Sequence, residues 1–188
     1  MKAFRMSLIM IVLCGLAFPL LMTGIAQILF PKQANGSILY NEKKQAIGSE
    51  LIGQSFKNPK YFQGRVSSIE YDANGSGSKN YAPSNEEMIK RTQKDAEKWL
   101  KDHPGKTLKD VPLDLITNSG SGLDPHITPA AARFQIPKII KANQGKVTEQ
   151  QLEKLIQKHI EDRNIGVLGQ PRVNVLLLNM DLQKVIQR

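Results

Sequence analysis

The chain has 188 residues, 40% of them hydrophobic, 6% aromatic and 23% charged, with a formal net charge of +9. A nucleic-acid binder gathers Lys and Arg into a stripe with rings to stack on bases; interspersed signs and sparse aromatics exclude that class and leave an anionic lipid surface or an acidic protein as the target of the excess charge. The single cysteine, Cys14, lies in an apolar segment, so neither an internal disulfide nor a cysteine metal site is available and packing alone holds the fold.

No Asp, Glu, His, Lys or Arg occurs between Arg5 and Lys32. The run from Met6 to Phe30, MSLIMIVLCGLAFPLLMTGIAQILF, rises about 1.5 Å per residue as a helix and so exceeds a hydrocarbon layer of about 30 Å; it is read as a transmembrane helix over 6–30. Pro19 removes one helical amide and predicts a kink. Lys2 and Arg5 precede the span, so the positive-inside rule places residues 1–5 in the cytoplasm and 31–188 outside it. Gly24-Ile25-Ala26 has the small-x-small form of a cleavage site, but the apolar run outlasts a usual signal core of about 7–15 residues, which favours an uncleaved anchor.

The body beyond the span has roughly 160 residues, enough for one core. Residues 31–37 read as a polar connector, and 37–40 with 45–52 flank the turn 41–44 as a hairpin. Segment 53–62 mixes turn formers with Phe56, Tyr61 and Phe62, whose rings predict a loop packed onto the core. A short strand is expected over 66–71, then a Gly- and Ser-rich connector over 72–85.

Ser84, with Glu87 three residues later, has the pattern of a capping box opening a helix that runs to about Asp102 and stops at His103-Pro104-Gly105, with Trp99 as a core anchor. Residues 112–117, PLDLIT, form a short element. Thr128-Pro129 starts a second helix, which Pro137 breaks near Ile136. Thr148, with Gln151 in the capping-box position, starts a third, burying Leu152, Leu155 and Ile156 and running through about Glu161. The apolar run 173–178, VNVLLL, is read as a central strand buried on both faces, followed by a terminal turn over 181–186. These elements give an α/β or α+β fold: a single N-terminal transmembrane helix followed by one mixed extracytoplasmic domain.

Chemistry-bearing residue types crowd into Ser119, Gly120, Ser121, Gly122, Asp124 and His126. Hydroxyl, carboxylate and imidazole are the components of a nucleophilic triad, which makes an anchored extracytoplasmic hydrolase the alternative function. A triad needs its nucleophile and carboxylate on opposite edges of the imidazole, and eight consecutive residues beside a helix start rarely provide that. As an interaction loop the stretch is better suited: glycines for unusual backbone angles, an Asp-Pro turn, and amides near the helix start. No phosphate-loop arrangement is present, and His103, His126 and His159 lack metal-ligand spacing, so no catalytic or metal residues are assigned.

Four segments carry a resemblance that covers essentially the whole chain. They are Gly48-Ser-Glu-Leu-Ile-Gly-Gln-Ser-Phe56, Pro59-Lys-Tyr-Phe62, Asn118-Ser-Gly-Ser-Gly-Leu-Asp-Pro-His-Ile-Thr-Pro-Ala-Ala-Ala132 and Leu168-Gly-Gln-Pro-Arg-Val-Asn-Val-Leu-Leu-Leu-Asn179. With the N-terminal span, the sequence resembles the C-subunit family of the bacterial Kdp-type potassium-transporting ATPase. The resemblance implies a noncatalytic accessory subunit of a potassium import pump in the bacterial cytoplasmic membrane. Its implied partners are a channel-like subunit that handles potassium, a P-type subunit that hydrolyses ATP and a small membrane subunit, together with membrane lipid. It also implies support of assembly and a role as catalytic chaperone that raises the ATP affinity of the hydrolytic subunit.

The chain departs from the family pattern at Arg65-Val-Ser-Ser68, where Arg-Pro-Ser-Ala is usual, and in the loop 77–82. Topology limits the ATP contact that the resemblance implies. ATP is cytoplasmic, whereas the positive-inside reading puts residues 119–128 outside, so direct contact would require the opposite orientation. Docking onto the channel-like subunit from outside the cytoplasm is the expectation that fits both.

Overall fold

The computed structural model describes residues 1–41 and 43–187, and the chain divides into two compact units, Met1–Ser49 and Glu50–Arg188.

The first unit opens with an apolar helix, Lys2–Leu29, none of whose window of greatest hydropathy is buried in the protein. It is built from α1 (Lys2–Val12), a π-helical turn (Leu13–Ala17) and α2 (Phe18–Leu29). The π turn is the local answer to Pro19, which lacks an amide hydrogen and crowds the preceding turn; the Phe18 N–H reaches back five residues to the Leu13 carbonyl, so the backbone polar groups stay paired in an apolar surrounding. A helix of 28 residues is about 42 Å long, more than a membrane's hydrocarbon thickness, and its bare apolar surface is satisfied by lipid.

The expected polar connector contains a helical turn, α3 (Pro31–Ala34), entered through a break at Phe30. Proline at a first helical position carries no amide that needs a partner, which favours this start. The hairpin is formed by β1 (Ile38–Tyr40) and β2 (Ala46–Ser49), antiparallel with a bulge after Leu39. Asn41 organises the turn: its side-chain oxygen accepts from Lys43 N–H at 3.0 Å and from Gln45 N–H at 2.9 Å. Glu42, the remaining residue of the expected turn, lies outside the described residues.

The second unit contains α4 (Glu86–Lys101), 3-10 turns at Leu108–Asp110 and Leu113–Leu115, β3 (His126–Ile127), α5 (Pro129–Phe134), α6 (Ile136–Ala142), α7 (Glu149–Lys158), β4 (Ile160–Glu161), β5 (Arg172–Asn174) and α8 (Val175–Ile186). The strands form an antiparallel sheet in the order β3-β5-β4. Phe62, Trp99, Leu115, Ile139, Leu152, Ile156, Val173, Leu178 and Leu182 are buried in one core. This is the expected mixed α/β body.

Capping chemistry sets the helix starts. Thr128 and Thr148 are the N-caps of α5 and α7, and Thr148 and Gln151 exchange the expected capping-box bonds. At α4 the cap is Asn85 rather than Ser84: its oxygen accepts from Met88 N–H at 3.0 Å. Asn and Ser cap about equally well, so one residue of register is not fixed by composition. The break expected near Ile136 falls at Gln135, which joins α5 to α6.

Three expectations are corrected. The strand over 66–71 reduces to one bridge, Val66 with Asn118, because the Ser67 hydroxyl accepts from both Ile69 and Tyr71 N–H and curls the chain. Helix α7 ends at its cap His159, since Ile160 and Glu161 pair with Val173 and Arg172 in the sheet. The largest correction concerns 173–178. Strand β5 is central in its sheet but stops at Asn174, whose side chain accepts from Leu176 and Leu177 N–H and opens α8. The leucines, and the residues expected to form a terminal turn, belong to that helix. A short all-apolar run fits a buried strand and a buried helix alike, and here the cap decides.

The segment 60–63, which has no regular structure, is held by buried amide side chains. Asn179 bonds to both Phe62 N–H and Phe62 carbonyl at 2.8 Å. Gln135 does the same for Gln63, at 2.8 and 3.0 Å, and Asn143 donates to the Lys60 carbonyl at 3.1 Å. These amides stand in for a neighbouring strand and let Phe62 enter the core with its backbone satisfied.

Candidate interaction loop

The six loop residues singled out in the sequence lie between the Leu113–Leu115 turn and α5. Segments distant in sequence fasten their backbone. Ser119 N–H donates to Val66 carbonyl at 3.1 Å, Gly77 N–H to Ser121 carbonyl at 2.8 Å, and Gly53 N–H to Leu123 carbonyl at 2.7 Å. Beyond the loop, Thr128 N–H donates to Asp114 at 2.7 Å, and Val175 N–H to Pro125 carbonyl at 2.9 Å.

Two glycines are required by contact. Gly122 has φ +73°, and a Cβ there would meet Ile69 at 2.6 Å and the Gly77 carbonyl oxygen at 2.9 Å. At Gly53 a Cβ would lie 2.6 Å from the Asp124 carbonyl oxygen, and that atom is backbone and cannot swing aside. Gly53→Ala is therefore expected to destabilise the body by about 1–3 kcal/mol through overpacking. Urea unfolding followed at Trp99 measures it, and a loss within about 0.5 kcal/mol would show that the contact between the 53 segment and the loop is soft.

Within the loop, Asp124 is the side chain that meets Arg65. One guanidinium nitrogen pairs with Asp124 at 3.3 Å; the other reaches Thr117 hydroxyl at 3.4 Å and Asn118 carbonyl at 3.3 Å. The second Asp124 oxygen accepts from His126 N–H at 2.9 Å and lies 3.4 Å from His126 Nδ1. Burial pushes the Asp124 carboxyl up, but the His126 hydrogen bonds and the Arg65 charge outweigh it and hold the group below its ordinary value. Tyr71 donates its hydroxyl proton to the Arg65 carbonyl, and burial, with Asp124 adding and Arg65 opposing, pushes its phenol up to about 12. The Ser68 hydroxyl accepts from Asn118 Nδ2.

Asp124 and His126 are thus brought together, whereas the serines are not brought to them. Ser119 is 2% exposed, and Ser121 Oγ accepts from Leu123 N–H at 3.1 Å. Among the described residues neither hydroxyl bonds to His126, so the nucleophile-to-base contact that a hydrolase needs is not formed. Gly120 and Ser121 are an exposed crest, and the other end of the loop, Asp124 and His126, lines a cleft of about 310 Å³ together with Arg65, Asp114 and Arg172. A braced loop with both charge signs at its flank suits recognition of a polar partner group rather than bond breaking. Arg65, Asp114, Tyr71 and Gly53 join the site only through the fold; Gly53 lies in a segment that carries the resemblance, whereas Arg65 opens one that departs from it.

A family model described as KdpC, K+-transporting ATPase, c chain, matches residues 1–184. Relatives called potassium-transporting ATPase KdpC subunit, from Bacillus cereus strain G9842 and from Bacillus anthracis, are each 50% identical over 183 residues, covering 97% of this chain and 94% of their own length.

Proposed function

We propose, since this chain belongs to the KdpC family of K+-transporting ATPase c chains, that its body acts from outside the cytoplasm as the noncatalytic accessory subunit of an ATP-driven potassium pump. The observation that carries this reading is a family match running from the membrane helix through the body, 50% identical in its relatives. Its single N-terminal helix anchors it in the membrane, with Lys2 and Arg5 on the cytoplasmic side.

The body docks on the channel-like subunit through the crest Gly120–Ser121 and its charged flank, and supports assembly with the ATP-hydrolysing and small subunits. Its effect on ATP affinity is indirect, transmitted through the helix and this docking, because ATP lies across the membrane from the loop. Removing the chain should abolish ATP-driven potassium uptake in cells at limiting potassium; unchanged uptake and assembly would overturn the accessory role. Orientation has a separate check. With Cys14→Ser and Ser121→Cys combined, a membrane-impermeant thiol reagent should label intact spheroplasts, and labelling only after permeabilisation would reverse the topology.

A further inference from the structure

A second cleft, of about 380 Å³, opens on the other side of Arg65, and its charged lining is Lys57, Arg65, Lys98, Lys138 and Asp95, with Trp99 in its wall. The cations are incompletely compensated. Asp95 pairs with Arg91 at 3.4 Å, and Arg65 is already engaged with Asp124 at 3.3 Å. Lys138, its side chain only 11% exposed, has Asp102 at the long distance of 3.8 Å and places its ammonium 4.3 Å from the centre of the Trp99 ring. Among the described residues Lys57 and Lys98 form no ion pair.

Lys57 and Lys98 are exposed, but Lys138 holds its ammonium at a largely buried wall, where incompletely neutralised charge is unfavourable. Burial lowers the Lys138 pKa, Asp102 opposes this, and the neighbouring Lys98 charge lowers it further. In addition, Arg65 Nε is buried without a hydrogen-bond acceptor. Such an arrangement is unfavourable for an empty cleft and favourable for one that receives negative charge.

We propose that this cleft is an oxyanion site that takes a phosphate group, with Lys98 and Lys138 as its principal ligands and Lys57 at its rim. Ammonium groups on flexible stems act as point charges that can close around a compact, multiply charged tetrahedral anion. Free phosphate and the terminal phosphate of phosphatidic acid share this chemistry. The site shares Arg65 with the charged flank of the loop but does not rest on the pump reading.

Trp99 is the chain's one tryptophan and lines the cleft, so it reports on occupancy. The full chain in detergent is titrated with inorganic phosphate and, separately, with dihexanoyl phosphatidic acid, ionic strength being held with chloride, and equilibrium dialysis of labelled phosphate supplies a readout independent of fluorescence. Saturable binding is expected, weakened about tenfold or more by Lys98→Gln or Lys138→Gln and by less than about twofold by Lys141→Gln on the exposed surface. Lys98 is exposed, so its variant should fold even if loss of the Lys138 stem over Trp99 disturbs packing. Tighter binding of the lipid assigns a headgroup source, and equal binding assigns free phosphate. No saturable binding of either probe, or equal affinity in the wild type and Lys98→Gln, would overturn the site.

Discussion

Asn179→Ala should lower the stability of the body by roughly 3–5 kcal/mol, a large part of the 5–15 kcal/mol typical of a domain. Asn179 is 3% exposed and Phe62 wholly buried, and the amide satisfies both backbone groups of Phe62 at 2.8 Å. Truncation removes two hydrogen bonds and also strands a buried donor and a buried acceptor, each costing about 1–3 kcal/mol, because water cannot replace the lost partners. Asn179→Asp should be nearly as damaging, since a carboxylate still accepts from Phe62 N–H but turns its other oxygen against the Phe62 carbonyl. Urea denaturation followed at Trp99 decides the point. A loss below about 1 kcal/mol in Asn179→Ala would show that segment 60–63 is held by its rings and not by the amides.

Asp181→Asn should cost about 1–2 kcal/mol at neutral pH, with a dependence on pH that identifies the cause. Asp181 accepts from Lys158 at 2.6 Å, Lys184 at 2.7 Å and a ring nitrogen of His159 at 3.0 Å, tying the end of α7 to α8. Hydrogen bonds from Lys158 and Lys184 hold its carboxyl far below the ordinary range against the opposing effect of burial, with His159 adding to the decrease. A carboxyl depressed in the folded state contributes its stability fully above the unfolded value of about 3.9 and loses it as pH falls toward the folded value. The wild type and Asp181→Asn should therefore differ at neutral pH and converge as pH falls below about 4. The lysines are 67% and 62% exposed, so the stated range is already reduced for screening, and added salt should narrow the gap further. Parallel acid limbs for the two proteins would remove Asp181 from the acid response.

The candidate loop was legible as composition and illegible as geometry. The sequence offers Ser119 and Ser121 as equivalent hydroxyls, yet one is buried and only the other stands on the crest, because the backbone is pinned from Val66, Gly77 and Gly53. Arg65 meets Asp124 across 59 residues of sequence, a separation at which no local pattern signals contact. The serine-to-imidazole contact imagined for a hydrolase fails for the same reason: proximity in sequence does not set the direction of a side chain.

By itself the sequence determined the membrane helix, the starts of α5 and α7, the mixed class of the body and, through four long motifs, the family. Those are properties of single segments: uninterrupted apolar length, a capping hydroxyl, a proline's missing amide, an extended run of matched residues. Tertiary structure decided that Val175 begins a helix and not the continuation of a strand: the Asn174 cap is local, but Val175 N–H is taken by the distant Pro125 carbonyl. It decided as well that Asn179, Gln135 and Asn143 are buried braces and not surface amides. Burial of a polar side chain is favourable only where a distant backbone supplies its partner, and that partner exists only once the chain has folded.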